Sequence, residues 1–411
     1  MRHANHTRSR SRRRPQADLS GRDRLPSLTG LRFWAALLVV LYHLSRQIGE
    51  IPGVSQTVWY GRSGVTFFFV LSGFVLAWTY DGKAVPAKVF LWRRFARIWP
   101  LMAVTGALSV AVWIWLGQTA MVSAKSVVAN LFLVHAWMPD TVKGANPAAW
   151  SLSDEAWFYL LFPLLMALPA FRSGRGRRWI WVLTCAGVVL VWLSGALLSD
   201  VATRVWALDY LPLTRMLQFM LGVAAGLAVA RGWRPPVGLW SAVALTAAWH
   251  LALIPWSWYT SDADWFGPLQ ASQLLSTPLF ALLVAAAARA DLEGRRTGLS
   301  GRWTVRLGHW SFAWYLIHEI VIRPWRAMYG RPDDLIATAL VWLLVIVVSQ
   351  ALSGLAYHWV EHPLERMLRA AGPQPPRPAE PAVTPAPRTA PDADTPVCPT
   401  RPRVSGAGPR G

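Results

Sequence analysis

The chain has 411 residues, 54% hydrophobic and only 15% charged, with a mean hydropathy of +0.31. A soluble domain of this size carries about a quarter charged residues, so a water-soluble globular fold is excluded. The net charge of +20 would point to nucleic acid in a soluble protein. Here the arginines fall in short segments between apolar runs, the pattern of cytoplasmic loops in a membrane protein.

In chain order, residues 1–24 are basic and read as a disordered tail. Apolar runs follow near 28–48, 62–80, 98–117, 126–138, 150–170, 179–198, 206–230, 237–254, 269–288, 307–325 and 335–357. They are continuous rather than alternating, which predicts an all-α transmembrane bundle and not a barrel. No small-residue cleavage site follows the first run, so it is expected to stay as an uncleaved span. Arg-rich segments at 1–24, 83–97, 172–178, 231–234 and 289–306 all belong inside by the positive-inside rule. An even number of spans must separate each pair.

Three runs lie between 97 and 172, so one of them does not cross. The shortest, "SVVANLFLVHAWM" at 126–138, is expected to be re-entrant or interfacial, since about 20 residues are needed to span. Ten spans remain, with both termini inside, and the uncharged-to-acidic loop "PWSWYTSDADWFGP" falls outside. The outer loop carrying Arg323, Arg326 and Arg331 runs against this count. The membrane domain is expected over 25–365, and a Pro/Ala-rich tail over 370–411 cannot bury enough apolar surface to order itself. The two cysteines, Cys185 and Cys398, support neither a disulfide framework nor a cysteine metal site. No internal repeat is visible, which weighs against many transporter folds.

Ionisable groups inside a span are costly and mark functional sites. The first run holds two, Arg32 and His43, eleven positions apart. Eleven residues return a helix to within about 20° of the same face and advance it about 16 Å. Arg93, Arg94 and Arg97 in "WRRFARIWP" suit phosphate oxygens, which guanidinium forks bind in pairs; a plain cytoplasmic anchor is the competing reading. In "WSLSDEAWFYLLFP", Ser153 is expected to cap a helix opening at Asp154–Glu155. Topology puts that opening at the level of His43, where Glu155 would orient the imidazole. Ser311, Tyr315 and His318 share a face of the tenth span and Glu319 lies off it. His135 and His250 read as structural. No P-loop, GxGxxG, HExxH or GxSxG occurs in a fitting context.

An ordered set of motifs resembles the acyltransferase 3 family of integral-membrane O-acyltransferases: "TGLRFWAALLVVLYH", "GRSGVTFFFVLSGFVLAW", "LWRRFARIWP", "WSLSDEAWFYLLFP", "SFAWYLIHEIV" and "HWVEHPLE". The resemblance covers about 25–365. It implies transfer of an acyl group, usually acetyl from acetyl-CoA, to a hydroxyl of a carbohydrate, glycolipid or glycosylated small molecule at the bacterial cytoplasmic membrane. Acyl-CoA would be a co-substrate, with no bound cofactor and no metal.

By the same resemblance, Arg32 and His43 match the essential Arg and His, Arg94 and Arg97 an Arg pair linked to donor use, and Glu155 a required acid. The expected site is thus His43 as base or acyl carrier with Glu155, and Arg32, Arg93, Arg94 and Arg97 toward the donor. Ser72, Ser153, Tyr315 and His318 would line the cavity. The alternative is a transporter or flippase of a glycan or anionic metabolite, where intramembrane His and Arg are equally expected.

Overall fold

The computed structural model describes residues 25–83, 85–119, 122–261 and 264–374. The expected tails, 1–24 and nearly all of 370–411, lie outside them. Every regular element among the described residues is helical. From the N-terminus these are α1 (Pro26–Gln47), α2 (Val54–Val58), α3 (Gly64–Tyr80), α4 (Ala87–Trp115), α5 (Ala124–Leu131), α6 (Trp150–Ala167), α7 (Pro169–Arg172) and α8 (Gly174–Ser194). There follow α9 (Val201–Asp209), α10 (Pro212–Ala230), α11 (Leu239–Trp256), α12 (Pro268–Leu274), α13 (Thr277–Leu292), α14 (Arg302–Tyr329), α15 (Leu335–Ala356) and α16 (His362–Ala371).

Seven helical segments are long and apolar enough to cross a membrane, or eight if α12 and α13, bent by 41° at their junction, form one span. The other two expected spans, α6 and α14, are not among them. They carry Asp154 and Glu155, and Arg302, Arg306, Glu319, Arg323 and Arg326, so the polar groups that lower their hydropathy are the ones of functional interest. The segment expected to be re-entrant forms only the eight-residue α5, capped by Ser123, and a short turn of helix at His135–Trp137. Eight residues rise about 12 Å, too little to cross.

Glycines set how closely the central helices approach. A Cβ on Gly308 of α14 would strike the carbonyl of Thr29 in α1, and one on Gly30 would strike that of Leu299. The backbones of α1 and α14 therefore touch at their N-terminal ends and run parallel. That brings His43 on α1 level with His318 and Glu319 on α14. Gly73 of α3 and Gly222 of α10 make the same kind of contact with Phe219 and Val70. Small residues that admit backbone contact are what helix association in lipid uses in place of a hydrophobic drive.

The Arg-rich loops meet at one end of this bundle. Arg231 bonds the carbonyls of Phe171 and Arg172 and pairs with Asp81 at 3.0 Å. Ser27 bonds Asp291 and Thr297. The opposite end is tied by buried polar contacts: Arg62 to Asp209 at 2.9 Å, Arg215 to the Asp209 carbonyl and Gln273, and Tyr60 to the Leu253 carbonyl. The connection before α6 is buried almost throughout from Thr141 to Ala149. Asn146 holds it to the Leu316 carbonyl at 3.0 Å, while Ser109 and Trp113 both donate to the Ala145 carbonyl.

Candidate active site

Two polar centres stand on α1, one at each of the predicted positions. Toward the Arg-rich end a cavity of about 320 Å³ is lined by Arg32, Arg94, Arg97, Glu155, Tyr159, Ser72 and Tyr315, among others. Glu155 accepts from the Tyr159 hydroxyl at 3.0 Å, with Ser72 beside both. Arg32 and Arg94 stand in this cavity with Glu155 as the one carboxylate that lines it, an arrangement that suits an anionic ligand.

The arginines of "WRRFARIWP" are not equivalent. Arg97 is paired with Glu361 and, at 3.0 Å, with Glu365. These two carboxylates are the acids of "HWVEHPLE", on the π-helical turn Tyr357–Glu361 and the following α16. Arg94 makes no ion pair among the described residues; it lies 6.0 Å from the rings of Phe90 and Tyr159, and its Nε has no partner. Arg93 does not line the cavity.

The second centre is His43. Its Nδ1 lies 2.7 Å from Glu319 Oε1. Gln47 Nε2 is 3.2 Å from the same nitrogen and also donates to both Glu319 oxygens. Arg323 completes the set, its Nε 2.5 Å from Glu319 Oε2. Glu319 is 1% exposed whereas the His43 side chain keeps 28%, so the carboxylate is locked and the imidazole remains accessible. The His318 ring lies 5.1 Å from that of His43 and 5.9 Å from Tyr315, which lines the inner cavity. The two centres are therefore joined through Tyr315 and His318.

The expected partnership of Glu155 with His43 is corrected here: Glu319 holds His43, and Glu155 belongs to the Arg cavity. The cause is the buried connection before α6, which starts that helix inside the bundle rather than at its rim. Ser153 does not cap α6 either. The helix opens at Trp150, and the Ser153 hydroxyl accepts from the Ala136 amide at 3.4 Å. Of the four expected cavity-lining residues, Ser72 and Tyr315 line it and Ser153 and His318 do not; His318 packs behind Tyr315. Glu319, Gln47 and Arg323 were missed. A carboxylate in an apolar helix was the available signal, set aside because Glu319 lies off the Tyr315–His318 face; α1 packs across that boundary and meets both.

The acyltransferase domain family model matches residues 25–358. The chain is 34% identical over 392 residues to acyltransferase MdmB of Streptomyces mycarofaciens, covering 89% of this chain and 97% of that protein. It is 30% identical over 343 residues to exopolysaccharide production protein ExoZ of Rhizobium meliloti, covering 80% and 96%. A shorter match, 30% over 158 residues, is to O-acetyltransferase OatA of Staphylococcus aureus, covering 34% of this chain and 24% of that protein. No solved structure matches it significantly.

Proposed function

This chain belongs to the acyltransferase 3 family of multi-pass membrane enzymes, and from that premise we propose how its two centres divide one reaction. An acyl-CoA, with acetyl as the acyl group, enters at the Arg-rich end, which positive charge puts in the bacterial cytoplasm. Its thioester arm occupies the cavity below Tyr315. An acceptor hydroxyl on a carbohydrate, glycolipid or glycosylated small molecule approaches His43 from the opposite side. His43 takes the hydroxyl proton as oxygen attacks the thioester carbonyl. Glu319 fixes the imidazole and balances the charge it gains.

The observation that carries this reading is the linkage of an accessible, carboxylate-held imidazole to a separate cationic cavity through two adjacent side chains on α14. A histidine kept only for helix packing needs no buried carboxylate held in turn by Gln47 and Arg323. With Arg97 neutralised by Glu361 and Glu365, Arg94 and Arg32 are the cavity guanidinium groups left to meet donor phosphate. Arg97 holds α16 against α4. The relatives' names, an acyltransferase, an O-acetyltransferase and an exopolysaccharide production protein, support acyl transfer to a glycan-like hydroxyl.

Ten spans with both termini inside then follow if α6 and α14 cross, their polar groups turned into the bundle. The test is to incubate membranes containing the protein with acetyl-CoA labelled in the acetyl carbon, adding an organic extract of the source cells as acceptor pool. A labelled product that depends on the protein supports the proposal. Membrane-bound protein that forms no labelled product, but moves a glycan across the bilayer, contradicts it.

A further inference from the structure

The cage around His43 takes up Glu319 and Arg323 of α14 but leaves out His318. His318 is fully buried, and neither ring nitrogen reaches good hydrogen-bond geometry with a partner, the Trp314 and Tyr315 carbonyls of its own helix making only marginal contacts. Its polar surroundings are the Trp314 and Tyr315 carbonyls of the preceding turn, His43 and Glu319. Glu319 is already taken by His43, Gln47 and Arg323. A buried imidazole kept for structure is normally satisfied, and an unsatisfied one calls for a reason. His250 shows the satisfied state, with Nε2 2.9 Å from Ser63 Oγ and Nδ1 2.8 Å from the Thr246 carbonyl. His135 also lacks partners, but no second imidazole stands against it and it lines no cavity described above. His318 does not line the cavity either, but its ring lies against His43 on one side and against Tyr315, a cavity-lining residue, on the other.

We propose that His318 is the proton carrier between His43 and the sulfur of the departing thiol, making the site a two-imidazole relay. The idea rests on the acyl-thioester reading above. In the balanced step, the acceptor oxygen forms its bond to the acyl carbon and the carbon–sulfur bond breaks. The hydroxyl proton passes to His43, from His43 to His318, and from His318 to the thiolate. Nothing is oxidised or reduced. With the donor arm in the cavity below Tyr315, the sulfur departs on the Tyr315–His318 side of His43, where a carrier imidazole can deliver its proton. Ring nitrogens and carboxylate oxygen of His43, His318 and Glu319 lie within 4.8 Å of one another, a gap that a small ring rotation or one water closes. Tyr315 sits at the cavity end of the path.

The test compares two donors on the full-length protein in lipid nanodiscs, with the same acceptor extract. Acetyl-CoA releases a basic alkyl thiolate, which needs a proton. S-(4-nitrophenyl) thioacetate releases a weakly basic aryl thiolate, which does not. His318→Gln keeps the size and polarity of the ring without a titrating nitrogen. Its turnover with acetyl-CoA is expected to fall about 10²- to 10³-fold, the usual range for a lost acid–base group. With the aryl thioester the loss should be under about tenfold, because the group is no longer needed there.

Equal losses on both donors would assign His318 a structural role and overturn the relay, as would wild-type turnover on acetyl-CoA. If His318→Gln does not accumulate, His318→Asn carries the same comparison. One equivalent of divalent metal in the purified wild type, with activity lost to a chelator, would also overturn it, since the nitrogens would then be ligands. His43→Ala is measured alongside. If wild type and His43→Ala consume acetyl-CoA equally, it is the acyl-transfer reading that has failed; His43-dependent turnover that ignores His318 sinks the relay alone.

Discussion

Glu319→Gln isolates the feature that sequence did not reveal. The carboxylate faces His43 at 2.7 Å, Arg323 at 2.5 Å and Gln47 at 3.1 and 3.2 Å. The amide keeps the shape but removes the charge from two of those contacts. Each charge-assisted hydrogen bond contributes about 1.5–3 kcal/mol. The contact to Arg323 is the same before and during reaction, so its loss weakens folding rather than rate. The contact to His43 strengthens as the imidazole takes a proton, so its loss appears in the barrier. At about 1.4 kcal/mol per tenfold, a loss of about 3 kcal/mol lowers kcat about 10²-fold, with KM for acetyl-CoA little changed if the donor binds, as proposed, in the Arg-lined cavity. Steady-state label transfer in nanodiscs measures both constants, and thermal unfolding reports the Arg323 share. A variant within about threefold of wild-type kcat would refute the claim that Glu319 supports the imidazole.

Other outcomes follow from the same geometry. Arg94→Lys should raise KM for acetyl-CoA more than it lowers kcat, because a point charge replaces a fork; unchanged donor affinity would make Arg94 an anchor only. Arg97→Gln leaves Glu361 without its ion-pair partner and Glu365 with only Arg369 of its own helix, so α16 should become more accessible to proteolysis and hydrogen exchange, and unchanged protection would contradict the clamp. Gly308→Leu forces a side chain against the Thr29 carbonyl; it should cost about 1–3 kcal/mol of stability and, by shifting His43 against α14, lower turnover at least tenfold. In a background without Cys185 and Cys398, cysteines replacing Asp140 and Tyr259 should react with an impermeant thiol reagent on intact cells. Those replacing Arg175 and Arg296 should react only in opened cells. Labelling of the Arg175 position from outside would overturn the ten-span orientation.

Much of this was legible before any coordinates. Run length and continuity gave the helical bundle, and the eleven-residue spacing put Arg32 and His43 on one face of α1. The shortness of 126–138 marked a segment that does not cross, and α5 is indeed only eight residues. Depth was not legible. Charge parity alone starts the run at 150 at the bundle rim, but Asn146, Ser109 and Trp113 pull the preceding connection inside, and Glu155 goes with it to the Arg cavity. The partner of His43 was hidden for a related reason. Helical periodicity orders residues on one helix but does not say which neighbour covers which face. The contact of Gly308 with Thr29 decides that, and no feature of either run alone encodes it. The roles of Glu361 and Glu365 were likewise invisible, since their cation lies more than 260 positions away in sequence.

The central claim is that His43 performs the chemistry, and the most direct measurement is transfer of labelled acetyl by purified His43→Ala and His43→Gln proteins. Both should insert, purify as the wild type does and bind acetyl-CoA with unchanged affinity, yet transfer at least about 10³-fold more slowly. Near-normal transfer by either, to the same acceptor and at the same protein level, would contradict the account.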